Sequence, residues 1–138
     1  MNIRTFCCLQ TIKKATLDGV LFRTEASQEK FRADNACVSE DYKESGSNSQ
    51  VLVNYGIIKT MFLHKLGNEP EEVIVECDWY EKVGINPRTH LIQVRRNHNF
   101  DACRVNFLKN LYPHNLVLWP STATAPENGL LDVIYHHQ

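Results

Sequence analysis

The sequence predicts a mainly β protein that folds as a small, partly open β-barrel, and three observations predict it. Apolar and polar residues alternate with a period of two over residues 51–66 and again over 73–80, which is the periodicity of a strand. Turn-forming Gly, Asn and Pro residues separate such runs at roughly 8–12 residues, a spacing typical of small barrels and sandwiches. A further apolar run ends at Pro120, which cannot donate a hydrogen bond to a central strand ladder.

The chain is predicted to form a single domain, residues 1–138. It is 43% hydrophobic and 22% charged, which is ordinary for a globular protein and sufficient for a core without metal or disulfide support. Three parts are expected: a mixed N-terminal segment at 1–38, a polar loop at 39–50 and a β-rich core at 51–138.

The N-terminal segment contains one clear turn. Asp18-Gly19 predicts a turn immediately before the short apolar run 20–22. Residues 24–32 fit one or two helical turns or a charged loop. Residues 36–38 predict a short strand, and the Ser, Gly and Asn residues beyond it predict the polar loop.

The β-rich core is predicted from alternating runs and from the turns between them. Strands are expected at 51–66, 73–80, 90–96, 115–120 and 130–137. Turns or loops are expected at 67–72, 82–89, 97–103 and 121–129, where Gly, Pro and Asn are concentrated. The run 104–112 fits either a strand or a short helix, and its pattern does not choose between them.

The predicted strand 73–80, VIVECDWY, has either a packing role or a catalytic role, depending on which of its side chains face the core. Successive strand residues face opposite sides of a sheet. One face is the expected structural core and carries Val73, Val75, Cys77 and Trp79. The other face carries Ile74, Glu76, Asp78 and Tyr80. Burial of Trp79 fixes the register, because a shift by one residue would bury both carboxylates.

Glu76 and Asp78 are the candidate catalytic residues of an alternative function, a metal-dependent nuclease. Two carboxylates at positions i and i+2 on one strand face lie about 7 Å apart and can share a divalent cation. Such an enzyme also needs a third acid and a base on a neighbouring strand, and no spaced motif supplies them. A solvated acidic face is therefore favoured, and the protein is predicted not to be an enzyme.

No cofactor and no metal site are predicted. The six His and five Cys include no Cys-x2-Cys pair, and the six Gly form no phosphate-binding loop. The odd number of cysteines and the lack of a secretory signal predict free thiols in a reducing, intracellular compartment. No stretch approaches the roughly 20 apolar residues of a membrane span, so no membrane partner is expected.

Charge is unevenly distributed although the formal net charge is only -1. Residues 69–82 are acidic, whereas 88–109 combine basic with aromatic residues, as nucleic-acid surfaces do. The predicted phosphate contacts are Arg88, Arg95, Arg96, Arg104 and Lys109. The competing interpretation is charge balance between antiparallel strands 73–80 and 91–96, which opposite cross-strand charges would stabilise.

A peptide reader is a third possible function. Three aromatic residues are candidates for a cage that holds a methylated Lys by cation–π contact: Tyr55, Tyr80 and Trp119. This function requires the three rings to be exposed and close together.

The order of these motifs resembles a β-rich accessory domain of unassigned function, found C-terminal to the catalytic region in En/Spm-like (CACTA) transposon proteins. The resemblance covers most of the chain from residue 17 and centres on Tyr55-Gly56 and Cys77-Asp78-Trp79-Tyr80. It implies a non-catalytic accessory domain of a transposon-derived protein, because strand transfer in the family belongs to a separate upstream domain. The chain is then expected to be a fragment, a remnant or a domesticated gene.

The strand–turn–strand plan also resembles the SH3-like barrels of chromatin-reader domains of the bromo-adjacent homology (BAH) class. Together the two resemblances imply a partner that is DNA or a chromatin or transposase protein, and a nuclear location. Fold alone does not determine function, so the partner has to be argued from a site.

Overall fold

The structure, a computed structural model, describes residues 7–27, 35–43, 51–97, 105–113, 116–120 and 129–135. These residues form eleven strands: β1 (Cys7–Ile12), β2 (Lys14–Leu17), β3 (Val20–Arg23), β4 (Cys37–Lys43), β5 (Val51–Leu66), β6 (Glu72–Ile85), β7 (Ile92–Arg96), β8 (Asn106–Phe107), β9 (Tyr112–Pro113), β10 (Leu116–Pro120) and β11 (Leu130–Tyr135). Single 3₁₀ turns span Glu25–Ser27 and Leu108–Asn110. The predicted mainly β fold is confirmed.

An antiparallel sheet in the order β10-β11-β7-β6-β5-β4-β9 curls into a half-barrel, consistent with the predicted partly open barrel. β5 is its longest strand and pairs with three others. β6 runs along one edge of β5, while β4 pairs with residues 51–57 and β1 with residues 61–66 of the other edge. Two short strands therefore share one side of β5, end to end.

A β-bulge marks the place where β5 changes partners. The register with β6 shifts between Ile58 and Thr60, so that Lys59 is the extra residue. The Ile58 N–H donates to the carbonyl of Ala36, at 2.8 Å, just before β4 begins. A bulge bends its strand and increases the local twist, so this one contributes to the curl of the sheet.

Residues 105–113 link two strands that β5 separates. β8 pairs with β6 through Phe107 and Ile74, and β9 pairs with β4 through Tyr112 and Ser39. The turn between them carries Leu108, which is completely buried. The run 104–112 was predicted as strand or short helix, and its described residues contain both, because two bridging strands flank one 3₁₀ turn.

The main core lies on the side of the sheet that we call the Trp79 face. Trp79 and Val75 are buried there, and Val73 and Cys77 pack against them while remaining partly exposed. All four residues that the alternation assigned to the core therefore lie on one side. The other buried members of this cluster are Phe22, Val38, Ile58, Met61, Leu108 and Leu111.

A second, smaller core lies on the opposite side, which we call the Tyr80 face. It consists of Cys37, Tyr55, Val94 and Val133, with Tyr80 packed against it. The sheet thus packs apolar residues on both sides at β4, β5 and β6, as a curled sheet with covered faces requires.

The closest packing in the core joins Trp79 to Gly56, its direct cross-strand partner. A methyl group added at Gly56 would lie 2.8 Å from Cζ3 and 2.9 Å from Cε3 of the indole. Only glycine therefore leaves room for the ring in this position. The residue pair that carried the family resemblance, Tyr55-Gly56, has here a packing role.

The predicted polar loop at 39–50 is wrong for residues 39–43, which continue β4. Ser39 and Glu40 are buried although they are polar, so the strand shows no apolar alternation. Glu40 Oε1 accepts a hydrogen bond from Asn54 Nδ2 at 3.3 Å, and its Oε2 accepts one from Asn106 Nδ2 at 3.2 Å. Residues 44–50 lie outside the described residues.

The predicted turn at 82–89 begins too early, because β6 continues to Ile85 through a second bulge between Lys82 and Gly84. The turn in the structure spans residues 86–91. Asn86 organises it: its Oδ1 accepts the Arg88 N–H at 2.9 Å, and its Nδ2 donates to both carboxylate oxygens of buried Asp132 at 3.3 Å. The sequence predicts a turn here because an asparagine side chain can hydrogen-bond to the backbone of its own loop. The position of Asn86 gives no sign of the bulge that extends β6 before it.

The N-terminal segment contains more strand than the mixed pattern predicted. Described residues 7–23 form β1, β2 and β3, and residues 25–27 form one helical turn. The predicted Asp18-Gly19 turn is confirmed and joins β2 to β3, with φ values of 50° and 79°. Two positive φ values define the type I′ turn of a tight hairpin, which favours Asp-Gly. The strands β2 and β3 have four residues each, which is too few for an alternation of apolar and polar residues to be recognised in the sequence.

We expect Gly56→Ala to destabilise the protein by about 1–3 kcal/mol, because the added methyl must displace a buried and rigid indole. Urea denaturation followed by Trp fluorescence measures the change. Gly84→Ala is the matched control: it also lies in a strand, and nothing stands within 4 Å of its added methyl, so its effect should stay within about 0.5 kcal/mol. If both substitutions lowered stability equally, the contact with the indole would not be the reason that alanine is unfavourable at residue 56.

Candidate functional site

The arginines predicted to contact phosphates on β7 are both paired with acids of β6. Arg96 lies 2.9 Å from Asp78, and Arg95 lies 3.9 Å from Glu81. The two arginines also face opposite sides of the sheet, because they are consecutive in a strand. Their charges are thus largely balanced locally, which is the competing interpretation of the sequence.

The antiparallel pairing expected between strands 73–80 and 91–96 is present but shifted. β7 pairs with residues 80–85 of β6, and Tyr80 and Glu81 lie opposite Arg96 and Arg95. The part of β6 before Tyr80 pairs instead with β5 and β8. The contacts of Asp78 and Glu81 with β7 arginines therefore lie near the middle of β6, whereas Glu72 meets Lys109 at its start.

The remaining predicted cations do not gather with them. Lys109 lies 2.8 Å from Glu72 and 5.4 Å from the centre of the Phe107 ring. Arg88 is exposed in the turn after β6, and Arg104 lies outside the described residues. Among the described residues, Arg95, Arg96 and Lys109 each pair with an acid, so these three do not form one uncompensated basic surface.

Asp78, one of the two candidate catalytic acids, has cations as its neighbours. It accepts from Arg96 and lies 3.6 Å from Lys59, which in turn lies 2.8 Å from Glu25. Glu76 shares its strand face. In the part of the chain that the structure describes, no three His, Cys, Asp or Glu side chains are grouped to hold a metal ion. A third carboxylate, which the nuclease alternative requires, does not join Glu76 and Asp78 there.

This charged group perturbs two titrating side chains. The hydrogen bond from Lys59 to Glu25 raises the pKa of that ammonium. Burial raises the pKa of the Tyr80 phenol, and the nearby Asp78 carboxylate raises it further, because both disfavour the phenolate. Both side chains therefore hold their protons more tightly in the folded state.

The three rings proposed as a methyl-lysine cage are not together. Tyr55 is only 5% exposed and lies in the second core opposite Tyr80. Trp119 is 57% exposed, but its strand partner is Asp132, whereas the neighbouring Leu118 packs on the Tyr80 side. The indole of Trp119 is therefore on the opposite side of the sheet from both tyrosines.

A cleft of about 430 Å³ lies beside the β2–β3 hairpin, and we call it the basic cleft. It is lined by Lys13, Lys14, Arg23, Thr24, Ala26 and Ser27. Its volume falls within the range of pockets that bind small ligands, about 300–1,000 Å³. Three of its described lining residues carry a positive charge.

The charges of the basic cleft are not compensated within the described residues. Lys14 and Arg23 are direct cross-strand partners in the hairpin, and like charges in that position repel each other. Among the ion pairs of the described residues, none involves Lys13, Lys14 or Arg23. The nearest acid in sequence, Glu25, is bound to Lys59 instead. An excess of positive charge therefore remains at the cleft.

Backbone contacts hold the basic cleft in shape. The carbonyl of Lys13 accepts the Thr24 N–H and the Ser27 hydroxyl, each at 3.0 Å. Arg23 Nη1 donates to the Ser27 carbonyl at 3.4 Å, which orients the guanidinium and leaves its other donors available. On the other side of the hairpin, Phe22 is buried in the main core and Ala15 packs against it. The cleft is thus attached to the core rather than carried on a free loop.

The sequence contains a signal for this cleft that the runs of basic residues do not reveal. A two-residue Asp-Gly turn fixes the register of a hairpin, so residues equidistant from it face each other. Lys14 precedes Asp18 by the same interval by which Arg23 follows Gly19. The opposed cations follow from the turn alone, although the third cation and the cavity do not.

The fold and the site together define a small half-barrel domain with a basic cleft on a hairpin that packs against its core. No family model, no curated protein and no solved structure matches the chain. Within the described ranges, no helix has the length and apolar character needed to cross a membrane.

We expect Lys14→Glu to stabilise the free protein, by about 0.2–1 kcal/mol, because it replaces a repulsive cross-strand pair with an attractive one. Urea denaturation at low salt measures the difference, and added salt should reduce it. Lys65→Glu, which reverses an exposed cation on β5, is the matched control and should change stability by less than about 0.5 kcal/mol. Destabilisation by Lys14→Glu would contradict the repulsion.

Stability should also fall as the pH rises above about 10. The raised folded-state pKa values of Tyr80 and Lys59 give stability that is complete below the unfolded values, 10.0 and 10.5, and is lost as pH rises through the folded values. Urea denaturation between about pH 9 and pH 11 measures the decline. Tyr80→Phe should make it shallower, whereas Tyr112→Phe, at an exposed phenol, should not. A full decline in Tyr80→Phe would exclude this phenol as a cause.

Proposed function

We propose that this protein is a non-catalytic accessory domain that binds nucleic acid, most simply DNA, through phosphate groups. In this proposal it belongs to a transposon-derived protein and acts in the nucleus. The family resemblance supports the origin, and the charge of the basic cleft supports the ligand.

The single observation that supports this choice of ligand is that Lys13, Lys14 and Arg23 have no ion-pair partner among the described residues. Two cations opposed in a hairpin lower its stability, so the arrangement is unfavourable until an anion lies between them. Phosphate oxygens suit this arrangement, because guanidinium and ammonium groups donate charge-assisted hydrogen bonds to them. Nucleic acid is the macromolecule that presents phosphates in a continuous series.

The cations of β7 and Lys109 contribute less in this proposal, because binding phosphate would require them to leave carboxylate partners. Arg88 is exposed and remains a candidate for a peripheral contact. A chromatin or transposase protein with an acidic surface is the competing partner, and salt dependence with defined DNA distinguishes it.

Binding of a labelled DNA duplex, measured by fluorescence anisotropy from about 50 to 200 mM salt, tests the proposal. Three phosphate contacts predict a slope of about −2.7 for log Kobs against log salt concentration, at about −0.9 for each contact. Lys14→Gln should reduce the slope to about −1.8 and weaken binding at every sequence tested.

Arg96→Gln is the matched control, since it removes one positive charge that is already paired with Asp78. It should leave the slope nearly unchanged. Loss of affinity in Arg96→Gln but not in Lys14→Gln would assign binding to the β7 surface instead. Absence of any binding at about 50 mM salt would refute the nucleic-acid proposal and favour a protein partner.

A further inference from the structure

The basic cleft gathers three cations around one half-open depression rather than along a line. Lys14 and Arg23 come from two paired strands, and Lys13 lies at the bend between β1 and β2. A phosphate inside the cleft is therefore approached by cations from more than one chain segment. A groove that follows a nucleic-acid backbone would instead distribute its cations along a line.

We infer that the basic cleft binds a terminal phosphate of a nucleic-acid strand, that is, a phosphate monoester rather than an internal phosphodiester. The inference rests on the proposed function and makes it more specific. Cleft shape, cleft charge and the orientation of Arg23 support it, each by a separate argument.

Charge favours the monoester. A phosphate monoester carries between about −1.5 and −2 at neutral pH, since its second pKa is about 6, whereas an internal phosphodiester carries a single negative charge. Coulomb attraction to a fixed set of cations grows in proportion to the charge of the ligand. A cleft with three uncompensated cations therefore selects the more highly charged group.

Shape favours a strand end. An internal phosphodiester continues into a nucleotide on both sides, so both continuations must leave the cavity. A terminal phosphate continues on one side only and can enter a cleft of about 430 Å³ together with part of its sugar. The Glu25–Ser27 turn forms one wall of this cleft and is held by the Ser27 hydroxyl and by the Lys59–Glu25 ion pair.

Hydrogen bonding also favours a phosphate monoester over an internal phosphodiester. A monoester presents three unesterified oxygens, and a phosphodiester presents two. Arg23 uses one N–H on the Ser27 carbonyl and keeps the others of its planar fork for a ligand. Lys13 and Lys14 add ammonium donors, so the cleft has more than enough donors for every oxygen of a monoester.

Oligonucleotides of one sequence with an internal fluorophore test the inference in a direct comparison. One carries a 5′ phosphate, one a 3′ phosphate, and one has hydroxyl groups at both ends. We expect a phosphorylated end to bind about tenfold more tightly than the hydroxyl-ended strand, the effect of one added charge-assisted hydrogen bond. A hydroxyl-ended strand that is two nucleotides longer has the same added charge and should not show this gain.

Two variants separate the cleft from general charge. Arg23→Gln should abolish the preference for the phosphorylated end, whereas Lys65→Gln removes an exposed cation on β5 and should preserve the preference. Thermal unfolding of each variant confirms that it is folded. Inorganic phosphate should compete with the phosphorylated strand in the wild-type protein and should lose this effect in Arg23→Gln.

Each outcome has one meaning. Equal affinity for phosphorylated and hydroxyl-ended strands, with a normal salt slope, overturns the terminal-phosphate inference and leaves the proposed function intact. Failure of all strands to bind overturns both. Binding of inorganic phosphate without binding of any strand keeps the anion site but removes nucleic acid as its source, and so also overturns the inference.

Discussion

The contact between Trp79 and Gly56 is the constraint on which the rest of the sheet depends. The indole can lie over β5 only because residue 56 has no side chain, and the ring would otherwise have to move from the core. This contact fixes the register of β5 and β6. With that register, Val75 and Met61 also point into the main core, while Asp78 and Tyr80 point to the other side. A shift by one residue would bury the carboxylate and expose the indole, which is unfavourable on both counts.

The location of charge follows from the same register. Because Asp78 points away from the main core, it meets Arg96 on one neighbouring strand and Lys59 at the bulge on the other. Lys59 in turn holds Glu25, the acid that is closest in sequence to the basic cleft. The positive charge of the cleft thus depends on a network that lies outside it. Among the described residues, Lys13, Lys14 and Arg23 have no ion-pair partner, because the neighbouring carboxylate of Glu25 pairs with Lys59 at the β5 bulge instead.

The sequence pattern predicted the long strands and the inward indole, because alternation of apolar and polar residues over many positions is the signature of a half-buried strand. It failed where polar residues are buried, as at Ser39 and Glu40, since their burial depends on partners such as Asn106 that are remote in sequence. It also overestimated the Arg95–Arg96 surface, because a run of letters does not show which acids will lie opposite. The opposed cations of the hairpin were accessible in principle from the Asp18-Gly19 turn, but the cavity beside them requires the path of the chain after β3.

Net charge is a poor guide to ligand choice in a protein of this kind. The formal total of -1 would suggest no affinity for a polyanion. Yet acids and bases on β6 and β7 cancel one another at short distance, and such pairs contribute little to the field beyond a Debye length of about 10 Å. At the hairpin, a ligand would instead interact with the local set of cations. The packing of Phe22 and the hydrogen bonds to the Lys13 carbonyl hold these cations in place. For the proposed binding, the charges that matter are therefore those that the fold leaves without partners, and three of these in the described part of the chain, Lys13, Lys14 and Arg23, line the basic cleft.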